Sequence, residues 1–285
     1  MKTVFTRENI EVIEVTPNIF FRKSNIEGNN QCDGAYIVSG GTVCAVEAPS
    51  VEGMAEMAEE AQILFGKPIR YYFLTHNDWD HTDGLPALYD QPAAIFCSKN
   101  MVDMFAPKDK PCKATFIGVQ GTLKLRLEGY DVELTTLEGG AHNPDDMVVY
   151  MPSDKCLCTG DMCVDYKHLY FHKANVPNWI AHLGKLYRDD GRYLLTGHRD
   201  IHPYGFLLDV RDFIVVLKRS AEVCIGRIRN AGLEATDETV EKAVLEFLKN
   251  GGADAAEILG KTEAEAPREL GMMAKSLLGL PMSVN

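Results

Sequence analysis

Apolar residues along this chain recur first at strand spacing and later at helix spacing, and the character changes near Pro203. Ile10, Val12, Ile13, Val15, Ile19 and Phe20 alternate loosely with polar neighbours and predict a hairpin turning at Pro17-Asn18. Ala35-Tyr36-Ile37-Val38 and Thr42-Val43-Cys44-Ala45-Val46 flank Ser39-Gly40-Gly41, a turn open to positive φ, and predict a second hairpin. Ser50 reads as the N-cap of a helix running to about Phe65, with Gly66 and Pro68 as stop signals. The aromatic and apolar run 71–75 predicts a strand buried on both faces, followed by a short helix near 84–89 and a strand at 93–97. Residues 106–113 read as a surface loop. Strands then recur near 114–119, 122–128, 130–137, 146–151 and 155–159, before a helix at 178–189 and a strand at 193–196. This order suits two sheets packed together with helices outside.

Beyond that point residues 206–229, 236–249 and 264–279 carry helical spacing, with Gly251-Gly252 and Gly271 as breaks. The chain therefore divides into a β-rich unit, 1–205, and a helical extension, 206–285, packed on that unit or on a partner subunit. The extension shows no phosphate loop, no repeat and no chemistry of its own.

Composition narrows the function. A length of 285 residues suffices for one large domain or a domain with an appendage. A net charge of −12 argues against nucleic acid or an anionic membrane surface as partner. The best apolar run, Phe213-Ile214-Val215-Val216-Leu217, is far too short to cross a bilayer, and the charges in residues 1–11 disfavour a secretory leader. Cys44, Cys97, Cys156 and Cys158 sit in apolar strand-like runs, and no C-x-x-C pair occurs. A reduced, cytoplasmic protein acting on a small molecule is the expectation, with a homodimer left open.

The chemistry gathers where the 71–75 strand ends. His76, Asp78, Asp80 and His81 fall within six residues, on a loop at a strand's C-terminal end, where α/β proteins place their sites. Imidazole and carboxylate are the ligands that Zn, Fe and Mn accept, and such a cluster repels itself unless a cation lies within it.

His76-Asn77-Asp78-Trp79-Asp80-His81 resembles the H-x-H-x-D-H signature of the metallo-β-lactamase-fold superfamily, with Asp78 where the second His stands. Gly139-Gly140-Ala141-His142-Asn143-Pro144-Asp145, Thr159-Gly160-Asp161 and Thr196-Gly197-His198 resemble its later segments, in order, so that the likeness covers about the first 205 residues. The resemblance implies an α/β fold, a four-layer αββα sandwich, and two metal sites. His76, Asp78 and His142 would form one, Asp80, His81 and His198 the other, with Asp161 bridging. It further implies a dinuclear metal-dependent hydrolase in which a hydroxide held between two divalent ions attacks a small ester, thioester, lactone, amide or phosphoester. Asp80 is then both ligand and catalytic proton acceptor.

Asp78 is the departure. A third carboxylate lowers the net positive charge and hardens the donor set, moving preference from zinc toward iron or manganese, with iron favoured. It also leaves open a mononuclear centre with Asp78 outside the coordination sphere. The flavodiiron proteins resemble this loop at H-x-E-x-D-H, with Glu in the place of Asp78. That suggests an alternative: a non-flavin di-iron protein that binds, senses or reduces oxygen, supplied by a redox partner. The roughly 80 residues after Tyr204 are too few and too helical for a flavodoxin domain.

Other polar and aromatic residues are weighed against ordinary packing. Tyr166, His168, Tyr170, His172, Trp179, His202 and Tyr204 surround the expected cleft, and for each of them packing is preferred to catalysis. His182 reads as structural, and Trp79 as a wall or a packing residue. Glu47 is either support for the metal loop or a plain strand-end acid. Asn143 and Asp145 read as turn-shaping, and Met272, Met273 and Met282 as packing. The segments 28–34, 105–115 and 162–178 are the expected pocket walls. On the sequence alone, Asp78→His is expected to shift metal content toward zinc; unchanged content would mean that Asp78 is not a ligand.

Overall fold

Within single strands, neighbouring side chains go to different cores. In β4 (Gly34–Ser39), Ala35 and Ile37 enter one hydrophobic cluster and Tyr36 enters another. In β11 (Met147–Met151), Met147, Val149 and Met151 share the cluster of Ala35, whereas Val148 and Tyr150 belong to a third. Three cores separated by period-two strands make four layers.

The computed structural model describes residues 1–24, 32–109, 111–167 and 169–282. His168 and residues 28–31 of the first expected pocket wall lie outside them. The first sheet runs β1 (Lys2–Arg7), β2 (Ile10–Thr16), β3 (Ile19–Ser24), β4, β5 (Thr42–Val46), β6 (Ile69–Phe73), β7 (Ala94–Ser98) and β8 (Thr115–Val119) in spatial order. It is antiparallel from β1 to β5 and parallel from β5 to β8. The second sheet is built from β9 (Thr122–Leu127), β10 (Tyr130–Thr136), β11, β12 (Cys156–Cys158), β13 (Tyr193–Leu195) and β14 (Ile201–Pro203), antiparallel except where β12 meets β13. The sheets face one another across Phe21, Ile37, Phe73, Val132, Val149 and Leu195.

Helices α1 (Val51–Phe65) and α3 (Lys99–Phe105) lie on the side of the first sheet, and the short α2 (Trp79–Thr82) follows β6 at the rim. Met54, Met57 and Met101, from α1 and α3, share a core with its strands. Ser50 caps α1, its Oγ accepting from Gly53 N at 3.0 Å, and Gly66 ends the helix at φ 66°. The second sheet is covered by α4 (Val176–Leu186) and α5 (Phe206–Asn230), with α6 (Asp237–Asn250), α7 (Gly252–Thr262) and α8 (Ala266–Leu278) extending the same cluster. The helical tail thus closes the fourth layer of its own chain. No helix among the described residues is long and apolar enough to cross a membrane.

Five elements escape the sequence pattern, α2 among them, since the stretch carrying Asp80 and His81 reads as loop and forms a single helical turn. β1 is an edge strand, mostly exposed, so its alternation is thin, and β14 spans a bare three residues. α3 is capped by Ser98, whose Oγ accepts from Met101 N at 3.3 Å, in a stretch to which the sequence pattern assigns no element. α7 starts at the Gly251-Gly252 pair: the glycines separate two helices. Gly271 is no break at all. It lies inside α8, where an added Cβ would meet open space. The strand expected at 71–75 ends at Phe73, which gives two more residues to the loop.

One buried acid in the tail has a consequence for stability. Glu269 of α8 is fully buried; burial pushes its carboxyl up to about 8 despite Arg268 Nη1 at 3.0 Å. Its raised value means that its contribution is whole below about 4.5 and is lost as pH rises through about 8. Glu269→Gln is expected to remove that slope and to leave the protein about 1–3 kcal/mol more stable than the parent at pH 9. Denaturant unfolding at pH 5 and pH 9 measures it; equal pH dependence in both proteins would contradict the assignment.

Candidate metal centre

Four connections at one rim of the sandwich carry the chemistry. The loop leaving β6 is pinned to its neighbours by main-chain bonds: Leu74 N donates to Phe96 O at 2.9 Å, Met147 N to Thr75 O at 2.6 Å, and Ala48 N to His81 O at 3.0 Å. It presents His76 and Asp78, and α2 presents Asp80 and His81. His142 comes from the β10–β11 connection, Asp161 from the 3-10 turn Gly160–Met162 after β12, and His198 from the β13–β14 connection. Two glycines let these rims touch. Gly160 holds φ 52°, and a Cβ there would lie 2.2 Å from Thr75 Oγ1; a Cβ on Gly197 would lie 2.0 Å from Asp161 Oδ1.

The donor atoms form two sets that share one residue. Asp80, His81, Asp161 and His198 offer atoms within 4.8 Å of one another, and so do His76, His142 and Asp161. In the first set His81 Nε2 is 3.6 Å from Asp80 Oδ2 and 3.2 Å from Asp161 Oδ1, and His198 Nε2 is 3.1 Å and 3.4 Å from Asp80 Oδ2 and Asp161 Oδ2. Asp78 Oδ2 joins the second set, 3.6 Å from His76 Nε2 and 3.3 Å from His142 Nε2. Donors each about 2.1 Å from a tetrahedral ion stand roughly 3.4 Å apart. His76 Nε2, His81 Nε2 and Asp161 Oδ1 are buried and have no hydrogen-bond partner among the described residues. Orphaned donors at these spacings fit divalent ions.

Behind these atoms, Nδ1 of His76 and of His142 is hydrogen-bonded, while Nδ1 of His81 faces a carboxylate without a hydrogen bond among the described residues. His76 Nδ1 meets Thr75 Oγ1 at 2.9 Å, His142 Nδ1 meets Tyr170 O at 3.2 Å, and His81 Nδ1 stands 3.3 Å from Glu47 Oε1. Glu47 is therefore more than a strand-end acid. It is buried, adopts φ 76°, and accepts from Thr75 Oγ1 at 2.6 Å and Thr75 N at 3.2 Å. Burial opposes protonation of the imidazoles, but the acids facing them outweigh it, so His81 and His142 lie above the usual imidazole range and His198 rises to about 10. Burial likewise opposes ionisation of Asp78 and Asp161, and the imidazoles overcome it, leaving both below the usual carboxylate range. A cation entering this cluster must displace protons, so its binding strengthens as pH rises.

A sequence profile described as the metallo-beta-lactamase superfamily matches residues 48–198, more than half of the chain. The chain belongs to that superfamily. Among solved structures, a metallo-beta-lactamase from Pontibacter korlensis is 18% identical with a TM-score of 0.63, over 72% of this chain and 98% of that one. The DIM-1 metallo-beta-lactamase is 22% identical with a TM-score of 0.62, over 73% and 97%. A metallo-beta-lactamase from Erythrobacter litoralis is 14% identical with a TM-score of 0.61, over 74% and 98%. At such identities the likeness speaks for the fold.

Around this superfamily rim the structure sorts the remaining residues. Trp179 is buried, donates from Nε1 to Met162 O at 2.9 Å and backs the His142 ring. Tyr204 donates to Leu186 O, His202 stacks on Phe206, Tyr166 packs on Phe213, and His182 Nε2 meets Glu138 O. Trp79 is 53% exposed. Tyr170 and His172 do come together, 5.7 Å between rings. Asn143, read as turn-shaping, does more: its Nδ2 donates to Asp78 Oδ1 at 3.1 Å. Asp145 ties the loop down, accepting from Asn77 Nδ2 and Ser98 Oγ. The sequence reading missed Lys173, whose Nζ lies 2.6 Å from Asp78 Oδ1, and Cys32, buried against His81 with its thiol pushed up to about 12. A cleft of about 530 Å³ is walled by Gly139, Pro144, Lys173, Asn175, Ser276 and Leu277; it shares Lys173 with the surroundings of Asp78, but none of the candidate ligands lines it.

Because Asp161 serves both donor sets, Gly197→Ala should displace it and lower metal affinity by about tenfold or more. Metal titration monitored beside far-UV circular dichroism tests this; a folded variant with undiminished binding would contradict it.

Proposed function

We propose that this protein is a dinuclear metal-dependent hydrolase acting on a small ester, thioester, lactone, amide or phosphoester. The observation that carries the reading is the sharing of Asp161 between two donor sets, with Nε2 of His76 and His81 and Oδ1 of Asp161 itself buried and without a hydrogen-bond partner among the described residues. Bound divalent ions would lower the pKa of the water they hold and polarise the scissile carbonyl or phosphoryl oxygen. His76, Asp78 and His142 would hold one ion, Asp80, His81 and His198 the other, with Asp161 between them.

The chain's own part is orientation and proton handling. Thr75 and the Tyr170 carbonyl hold the imidazoles of His76 and His142 with Nε2 inward, and Glu47 Oε1 stands 3.3 Å behind His81 Nδ1. Asp80, 13% exposed and 3.1 Å from His198 Nε2, is the group we assign to accept the proton that attack releases. The carboxylate of Asp78 makes the donor set harder and supports iron or manganese beside zinc as the resident metal. The same carboxylate supports a second reading, a non-flavin di-iron protein that binds, senses or reduces oxygen with electrons from a partner. Unpaired cysteines support a cytoplasmic setting.

Elemental analysis of anaerobically purified protein is expected to give two divalent ions per chain. A panel of chromogenic ester, lactone and phosphodiester substrates with metal add-back is expected to show turnover in at least one class. No turnover with any metal would sink the hydrolase. An absorbance band appearing on exposure to air would favour oxygen chemistry, which full occupancy by zinc alone would remove.

A further inference from the structure

We propose that Lys173 and Asp78 act together as the electrical equivalent of one neutral imidazole, making Lys173 a positioning residue for the first metal site. This rests on the metal-centre reading above and adds a residue that no motif contains.

The geometry divides the Asp78 carboxylate into an outer and an inner oxygen. Oδ1 accepts from Lys173 Nζ at 2.6 Å and from Asn143 Nδ2 at 3.1 Å. Oδ2 is left to face His76 Nε2 at 3.6 Å and His142 Nε2 at 3.3 Å. An aspartate so tied offers one oxygen inward, as an imidazole offers one nitrogen. Lys173 does not reach the acid by chance of a long side chain. The segment carrying it is fastened to the His142 loop on both sides: Tyr170 O meets His142 Nδ1 at 3.2 Å, and Asn175 N donates to Ala141 O at 2.8 Å.

Charge gives the pair its meaning. Two divalent ions against Asp78, Asp80 and Asp161 leave a single net positive charge. Counting the Lys173 ammonium restores the double positive charge of a site with His in place of Asp78. Lys173 is 40% exposed, so solvent screens part of its charge, but its partner Asp78 is 15% exposed and the pair is screened less than one on open surface. The hardness of the oxygen donor remains, while the electrostatic penalty on Lewis acidity is offset. It follows that His at position 78 is not a one-residue exchange. Asp78→His alone leaves the ammonium facing a cation with nothing between them, which opposes the shift toward zinc expected from the sequence.

Zn²⁺ titration into the metal-free full chain tests this as a double-mutant cycle. Asp78→His is expected to weaken the second Zn²⁺ equivalent by about tenfold or more, Asp78→His/Lys173→Met to regain about tenfold, and Asp78→His/Lys173→Arg to stay as weak as Asp78→His. The Co²⁺ absorption spectrum supplies an independent reading, free of the Asp78 variant: Lys173→Met should alter the bands of the first site, and Lys173→Arg should leave them. Circular dichroism checks folding throughout. The inference is overturned if Asp78→His alone holds two Zn²⁺ as tightly as the parent, if removing the Lys173 charge changes nothing in the Asp78→His background, or if the Lys173→Met spectrum matches the parent. A parent chain that binds no Zn²⁺ overturns the metal-centre reading as well; a parent that binds two, with additive variants, overturns this inference alone.

Discussion

Everything at the rim depends on keeping six imidazole and carboxylate side chains, with Asp78 beside them, a few ångströms apart while Nε2 of His76 and His81 and Oδ1 of Asp161 have no hydrogen-bond partner among the described residues. Left to itself such a cluster would relax into hydrogen-bonded pairs or turn outward to water. The chain prevents this by occupying the opposite edge of each group. Thr75 and the Tyr170 carbonyl hold Nδ1 of His76 and His142, Glu47 stands behind His81, and Asn143 with Lys173 holds Oδ1 of Asp78. Preorganisation of this kind costs backbone strain, visible in the left-handed φ of 76° at Glu47.

The two sheets make the arrangement possible by bringing their rims within side-chain contact. Met147 N reaches Thr75 O across the sandwich, Asp33 N reaches Gly197 O, and Gly197 N reaches Gly160 O. Each contact lies beside a metal-loop residue, so the inter-sheet core and the site are one mechanical unit. Phe73, the last residue of β6, is fully buried between the sheets, one residue before the loop begins to turn. Packing density in that core therefore bears on donor spacing at the rim.

The helical tail takes part in the same unit. Leu270 and Met273 of α8 lie in the hydrophobic cluster that includes Trp179, whose ring backs His142. Arg268 donates to Lys167 O and Lys167 pairs with Glu263, so the tail also grips the segment that delivers Lys173. The cleft that Lys173 helps to wall accordingly has one side from the end of α8, although nothing in the tail's sequence suggests chemistry.

Local patterns in the sequence determined the local structure: alternation set both N-terminal hairpins, Ser50 and Gly66 bounded α1, and the spacing of His and Asp in 76–81 marked the metal loop. These are short-range facts, because strand period, helix caps and loop ligands all act over a few residues. What tertiary structure alone decided are relations between groups far apart in the chain. Lys173 meets Asp78 across 95 positions, Glu47 meets His81 across two elements, and Asn143 turns out to hold a donor as well as a turn. A lone lysine carries no periodicity and no motif. Its role arises from the fastening of residues 170–175 to the His142 loop, which places its charge beside the one carboxylate that departs from the superfamily pattern.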